Sequence, residues 1–279
     1  MRFAGHDHRC RRFFIAIGVA AALGMLFFTS CGRKEEPQKA ASAPPDPYAA
    51  WSKYTYGHFV ARFSPTSLYL NRKGELTKAY ERFLTEICGL LEMPVPDQKI
   101  QLYVYGNRLE AEKIIGEDAP TVTDSAIHWD GTYAYGYQLT KFLLAKKGVQ
   151  SGRFNVINEG IPHLLNYSGI NYHAVLTRLV DSGGYVPLLT LGDNAVFDTL
   201  RFKVKQSESA SLCGFIMFNF GLDPLLKLAK SRDDWKASIE ILLQLRVDVF
   251  ETSWLKFARE HGGDTSAVIE EVVDTTQKE

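Results

Sequence analysis

Charge of one sign is not in surplus in this chain: 32 Lys and Arg stand against 32 Asp and Glu, so the broad basic field that nucleic-acid binding requires is missing. No glycine-rich phosphate loop is present, because Gly131, Gly136 and Gly148 lack the spacing of one. Ser209 and Ser211 sit in no nucleophile elbow, and no His/Asp order around them supports a serine hydrolase. Internal repeats are absent. Cysteine is scarce, with four in 279 residues. What the chain does have is a globular composition, 46% hydrophobic and 23% charged, enough for one sizeable core or two small ones.

The longest apolar run, Phe13 to Phe28, is shorter than the ~20 residues a spanning helix needs. Arg9, Arg11 and Arg12 precede it, and Thr29, Ser30 and Cys31 follow. A charged start, a short apolar stretch and small residues describe a secretory signal over residues 1–30, with an uncleaved N-terminal anchor as the alternative. "FFTSC" resembles the lipobox of bacterial lipoproteins, which implies a lipidated Cys31 that holds the mature chain on a membrane outside the cytoplasm. Phe28 stands where that box usually has Leu, and Gly32 stands where an inner-membrane retention signal would have Asp; the resemblance therefore implies the outer membrane, facing the periplasm. Loss of residues 1–30 removes Arg2, Arg9, Arg11, Arg12 and Asp7 and leaves a slightly acidic chain. Residues 31–52, rich in Pro, Ala and charge without apolar period, read as a tether.

Cys10 leaves with the signal and Cys31 takes lipid, so Cys88 and Cys213 remain in a compartment that permits a bridge. Both fall on apolar helical stripes, where buried thiols are common. A Cys88–Cys213 disulfide and two free thiols both stay open.

The remaining pattern is α+β, an N-terminal mixed sheet with a helix followed by a mainly helical half, over residues 53–262, with a tail at 263–279. "HFVARFS" (58–64) and "KIQLYVY" (99–105) alternate apolar and polar residues as strands with one buried face. Leu76, Tyr80, Phe83, Leu84, Ile87 and Leu91 recur at helical spacing between them, which gives a βαβ-like opening. Residues 107–115 read as a short helix, and 121–135 as a strand or hairpin turning at Asp130-Gly131. Helices are expected over 137–146, 154–167, 172–181 and 207–220, the last stopping at Gly221. Asp223-Pro224 reads as an N-cap with proline at the first helical position, and Asp233 or Asp234 as the cap of the following helix. Trp254, Phe257 and Ala258 mark the final helix, ended by Gly262-Gly263.

Two segments at the centre carry the chemical question. "YQLTK" spans Tyr137 to Lys141, and "NEG" lies at Asn158 to Gly160. A zinc site of the H-E-x-x-H kind needs two imidazoles one helical turn apart, with the glutamate beside the first as base toward metal-bound water. The order "HFVARF", a helix, "KIQLYVYG", "LTKFLL", "INEGIPHLL", "YVPLLTLGD", "SESASLCGFIMFNFG" and "FETSWLKFA" resembles the peptidase MA-like family of gluzincin-type zinc metallopeptidases over residues 56–260. The resemblance implies histidine, glutamate and histidine where this chain has Tyr137, Gln138 and Lys141, and a third ligand where it has Glu159. Gln138 has no proton to exchange and cannot be a general base. Tyr137 would ligate only as a phenolate, against an ordinary pKa near ~10. Lys141 puts a cation where the metal would sit, and one carboxylate without imidazole is a poor zinc site. The expectation is a catalytically inactive domain with no cofactor, in which Lys141 stands in for the metal, pairs with Glu159 and holds two helices in register. Loss of one member of a buried pair would cost ~3–5 kcal/mol. The plainer alternative makes Lys141 a solvated residue and "NEG" a helix-start turn capped by Asn158.

An active zinc peptidase with a rearranged site built on Glu159 and His163, with His128, is the competing enzyme reading. His163 by itself reads more simply as a satisfied histidine, since Pro162 precedes it and partner ligands are missing. Tyr133, Tyr135 and Tyr137 alternate where the resemblance implies a substrate cleft, so an aromatic face of Trp129, Tyr133 and Tyr135 for a peptide, a glycan or an envelope protein is expected. Strand 126–129 offers an edge to which an extended peptide could pair. The third class is a purely structural role.

Overall fold

The computed structural model describes residues 46–263, apart from 118, 120 and 150–152. The signal segment, Cys31 and the tail at 264–279 lie outside the described residues, as does the tether up to residue 45. Among the described residues no helix is long and apolar enough to cross a membrane.

The architecture is α+β, with a four-stranded mixed sheet at the N-terminal side and eleven helices among the described residues. β1 (Ser52–Tyr56) and β2 (Phe59–Phe63) form an antiparallel hairpin, and Gly57, at φ +51°, supplies the left-handed residue of the turn. α1 (Lys73–Leu90) crosses from β2 to the parallel strand β3 (Ile100–Val104), and α2 (Arg108–Ile115) crosses from β3 to parallel β4 (Ala126–Trp129). Asn107 caps α2 by accepting from the Glu110 N–H.

Strand alternation sends Phe59, Ala61, Phe63, Ile100, Leu102, Val104, Ile127 and Trp129 to one face, all buried against the apolar stripe of α1. Burial of each large aliphatic or aromatic side chain contributes about 1.5–3 kcal/mol. This face is therefore the rigid base of the molecule. The opposite face is covered by the segment that leads into β1. Tyr48 packs on Tyr103 at 4.3 Å between ring centroids, and Trp51 meets Tyr105 at 5.0 Å. Asp46 pairs with Arg62 at 3.5 Å. Residues 46–51, inside the stretch read as tether, thus pack on the sheet, and β1 starts at Ser52. Its "SKYTY" lacks an apolar alternation strong enough to declare a strand.

Residues 121–135 depart from the expected hairpin about Asp130-Gly131. Val122 bridges Ile127 antiparallel, so the reversal lies before β4. The Thr123 N–H donates to the Ala126 carbonyl and the His128 N–H to the Thr121 carbonyl. The outer edge of β4 is therefore largely taken by its own chain, which corrects the expected open edge for peptide pairing. The turn at Asp130-Gly131 exists, but it leads into α3 (Tyr135–Lys146).

The helical half is assembled around α4 (Asn155–Leu164) and α8 (Phe202–Phe220), with α5 (Tyr172–Asp181), α9 (Leu222–Lys230) and α11 (Val247–His261) packed on α8. α6 (Leu188–Leu191), α7 (Asn194–Thr199) and α10 (Trp235–Leu243) fill the gaps. Gly221, at φ +88°, both ends α8 and opens α9, so Asp223 lies in the first turn rather than at the cap. Asp234 caps α10 through the Ala237 N–H. Cys88 and Cys213 are both free and buried, one on α1 against the sheet and the other on α8 against α4. The two thiols form no bridge in this structure.

Candidate functional site

The site is the junction of α3 and α4, and two glycines set its geometry. A Cβ at Gly136 would lie 2.3 Å from the Leu165 carbonyl oxygen. One at Gly160 would lie 2.5 Å from both the Ser209 carbonyl oxygen and Cys213 Sγ. Only glycine admits these approaches, so the first turn of α3 presses on the end of α4, and the middle of α4 presses on α8. The Gly136 N–H also donates to the Asn166 carbonyl. Gly160 belongs to "NEG", which is the interior of α4 and not a helix-start turn: the N-cap is Phe154.

With the helices so placed, the Tyr137 hydroxyl donates to Glu159 Oε2 in a very short contact, and Lys141 Nζ lies 3.1 Å from Glu159 Oε1. Lys141 Nζ is also 3.5 Å from the Tyr137 oxygen and 5.3 Å from the centre of that ring. Both oxygens of the carboxylate are engaged, one by a phenol and one by an ammonium. The ion-pair side chains are 38% and 34% exposed, so solvent screens them and the buried-pair cost does not apply. A cost below about 1 kcal/mol replaces it.

Burial, then the charge of Glu159 and the bond to it, raise the Tyr137 phenol well above its ordinary range. The phenol is a neutral donor to Glu159 at physiological pH. His163 packs on Tyr137 at 4.6 Å, and Gln206 Nε2 lies 3.4 Å from its Nδ1. Burial pushes its imidazole down to about 4, with Glu159 opposing and Lys141 adding to the shift. It is neutral near pH 7. Tyr133 stacks on Tyr137 at 4.1 Å, and Phe202 closes against Tyr133 and His163. These groups wall an open cleft of about 420 Å³ that also takes in Phe197, Asp198 and Lys205.

Family models, curated proteins and solved structures all yield no match to this chain. The site must therefore be judged on its own residues. Glu159 and His163 do share the cleft wall. His128 does not join them: it faces the outer side of the sheet, stacked on Tyr103 at 4.8 Å with Nδ1 2.7 Å from the Tyr105 oxygen. Among the described residues no three His, Cys, Asp or Glu side chains are grouped to hold a metal ion. With Lys141 against Glu159, the donor set fits zinc poorly.

The expected ligand face is split. Tyr133 lines the cleft, whereas Trp129 is buried with Nε1 donating to the Tyr133 carbonyl, and Tyr135 packs on Trp129 and hydrogen-bonds Tyr69. The resemblance had put the three at one cleft; the turn into α3 separates them. Phe202 and Lys205, missed in the sequence, reach the cleft from the first turns of α8. "RFKVK", with one aromatic and three cations ahead of an apolar helix, was the available signal.

Proposed function

We propose that this chain is an exported, lipid-anchored envelope protein whose metallopeptidase-like domain binds a peptide or protein segment without cleaving it. The observation that carries the reading is the occupied carboxylate. Glu159 is held by Lys141 and Tyr137, so no base is free where the gluzincin resemblance would need metal and water. Gln138, one position on from Tyr137, cannot take a proton. What is left is an aromatic wall with two cations and two carboxylates around an open cleft, a surface suited to an extended chain with mixed side chains.

The competing zinc peptidase, with Glu159 and His163 as ligands, is favoured by one fact: His163 is neutral and therefore able to ligate. Metal analysis after dialysis of the purified protein against zinc separates the two. Substoichiometric zinc and a melting temperature indifferent to chelator are expected; one tightly held zinc per chain, with stability lost on chelation, would reverse the choice. For the anchor, Cys31→Ser is expected to move the protein from the membrane fraction to the soluble one. Capped tripeptides titrated into the protein and followed by NMR test the binding role, with shifts expected at residues around Tyr133 and Phe202.

A further inference from the structure

A second, smaller lobe of about 200 Å³ adjoins the cleft and shares Thr121 and Tyr133 with it. Gln138 forms part of its wall, only 1% exposed, and the carbonyl oxygen of its side chain is buried without a partner. An orphan acceptor of this kind costs about 1–3 kcal/mol unless a donor completes it. The terminal torsion of glutamine is broad and two-fold, so the amide can present its acceptor to the lobe at little cost.

Charge around the lobe has one sign to spare. Among the described residues Arg108 is its single lining cation, and it is paired to Glu112 one helical turn away at 2.5 Å. Asp130 and Glu117 line the same space, so three carboxylates share one guanidinium, whose charge also reaches Asp130. A buried acceptor beside a surplus of carboxylates attracts a group that is both a donor and positive. The volume is below the range of whole small-molecule sites and suits a single extended side chain.

We propose that this lobe is a subsite for an ammonium or guanidinium group, such as the side chain of Lys or Arg in a segment lying along the main cleft. The assignment deepens the binding role proposed above and rests on it for the peptide, but not for the subsite itself. The probe is therefore n-butylammonium, with n-butanol as the neutral control, titrated into ¹⁵N-labelled protein. The side-chain amide of Gln138 is expected to shift saturably with the ammonium alone, and Asp130→Asn, a partly exposed change, to weaken that response at least fivefold. Equal shifts with n-butanol, or an amide that neither probe moves because only water completes it, overturn the subsite whether or not peptides bind. A second arm compares capped Ala-Lys-Ala with its norleucine counterpart. At least tenfold preference for lysine, reduced by Asp130→Asn, is expected; equal affinity overturns the subsite and leaves the binding cleft standing.

Discussion

Two glutamates, Glu159 and Glu208, lie on helices that pack together, and their surroundings are opposite. Glu159 has a cation and a phenol, and a third of its side chain meets solvent. Glu208 is fully buried on α8 and accepts the Val186 N–H at 3.0 Å through Oε1, while Oε2 has no partner. Its neighbour is another acid, Glu251, which accepts the Tyr185 hydroxyl at 2.5 Å and the Leu188 N–H at 2.8 Å. Burial pushes the Glu208 carboxyl up to about 8, with Glu251 adding to the rise and the Val186 N–H opposing it. The recognisable motif surrounds the solvated carboxylate, whereas the strained one sits in "SESAS" with no motif to announce it. Conspicuous spacing locates a site; burial without a counter-charge locates the energetic tension.

The largest loss expected from a single substitution is at neither acid but at the glycine between their helices. Gly160→Ala drives a methyl into the Ser209 carbonyl and Cys213 Sγ, and a loss of about 3 kcal/mol is expected by analogy with overpacked cores, read by urea unfolding. Survival of full stability would mean that α4 and α8 are not locked and that the comparison has no fixed frame. Next comes pH. The folded-state pKa of Glu208 is raised, so the native state holds its proton after the unfolded chain has released it. Stability present below about pH 4.5 is then lost progressively as pH rises to about 8, by roughly 1 kcal/mol per pH unit for the one proton. Glu208→Gln should flatten that slope relative to wild type; parallel curves for the two proteins would erase the contrast.

Tyr137→Phe removes a hydrogen bond to a charged acceptor, and about 1–2 kcal/mol is expected, less than a fully buried site would lose because Glu159 can turn to water. Smallest of all, Lys141→Met should change stability by less than about 1 kcal/mol and should lose even that in molar salt. A fall of several kcal/mol there would restore the idea of Lys141 as a metal substitute that pins the helices.

Strong periodicity made much of the fold legible. α5 runs over Tyr172–Asp181 as its pattern dictates, β2 and β3 follow their alternation, and the stripe on α1 faces the sheet. Weak periodicity hid β1, and the short helices α6 and α7 carry too few turns to show a period. α8 begins five residues before the apolar run, because Lys203 and Lys205 occupy its exposed first turns. The approach of Tyr137, Lys141 and Glu159 was expected from the gluzincin resemblance. Their solvent exposure was not, because it depends on how far α7 and the start of α8 leave the cleft open.

The aromatic strap at Tyr48 and Trp51 has a mechanical meaning. Tension arriving from the N-terminal side meets this clasp on the outer face of the sheet before it meets any strand, and rings packed at 4.3 and 5.0 Å must peel away first. Because the clasp is on the side of the sheet away from α1 and the core, the pull is spent on stacked rings and the Asp46–Arg62 pair while the cleft on α3 and α4 keeps its shape. Were the chain anchored as proposed, the strap would act as a fuse between that anchor and the proposed cleft.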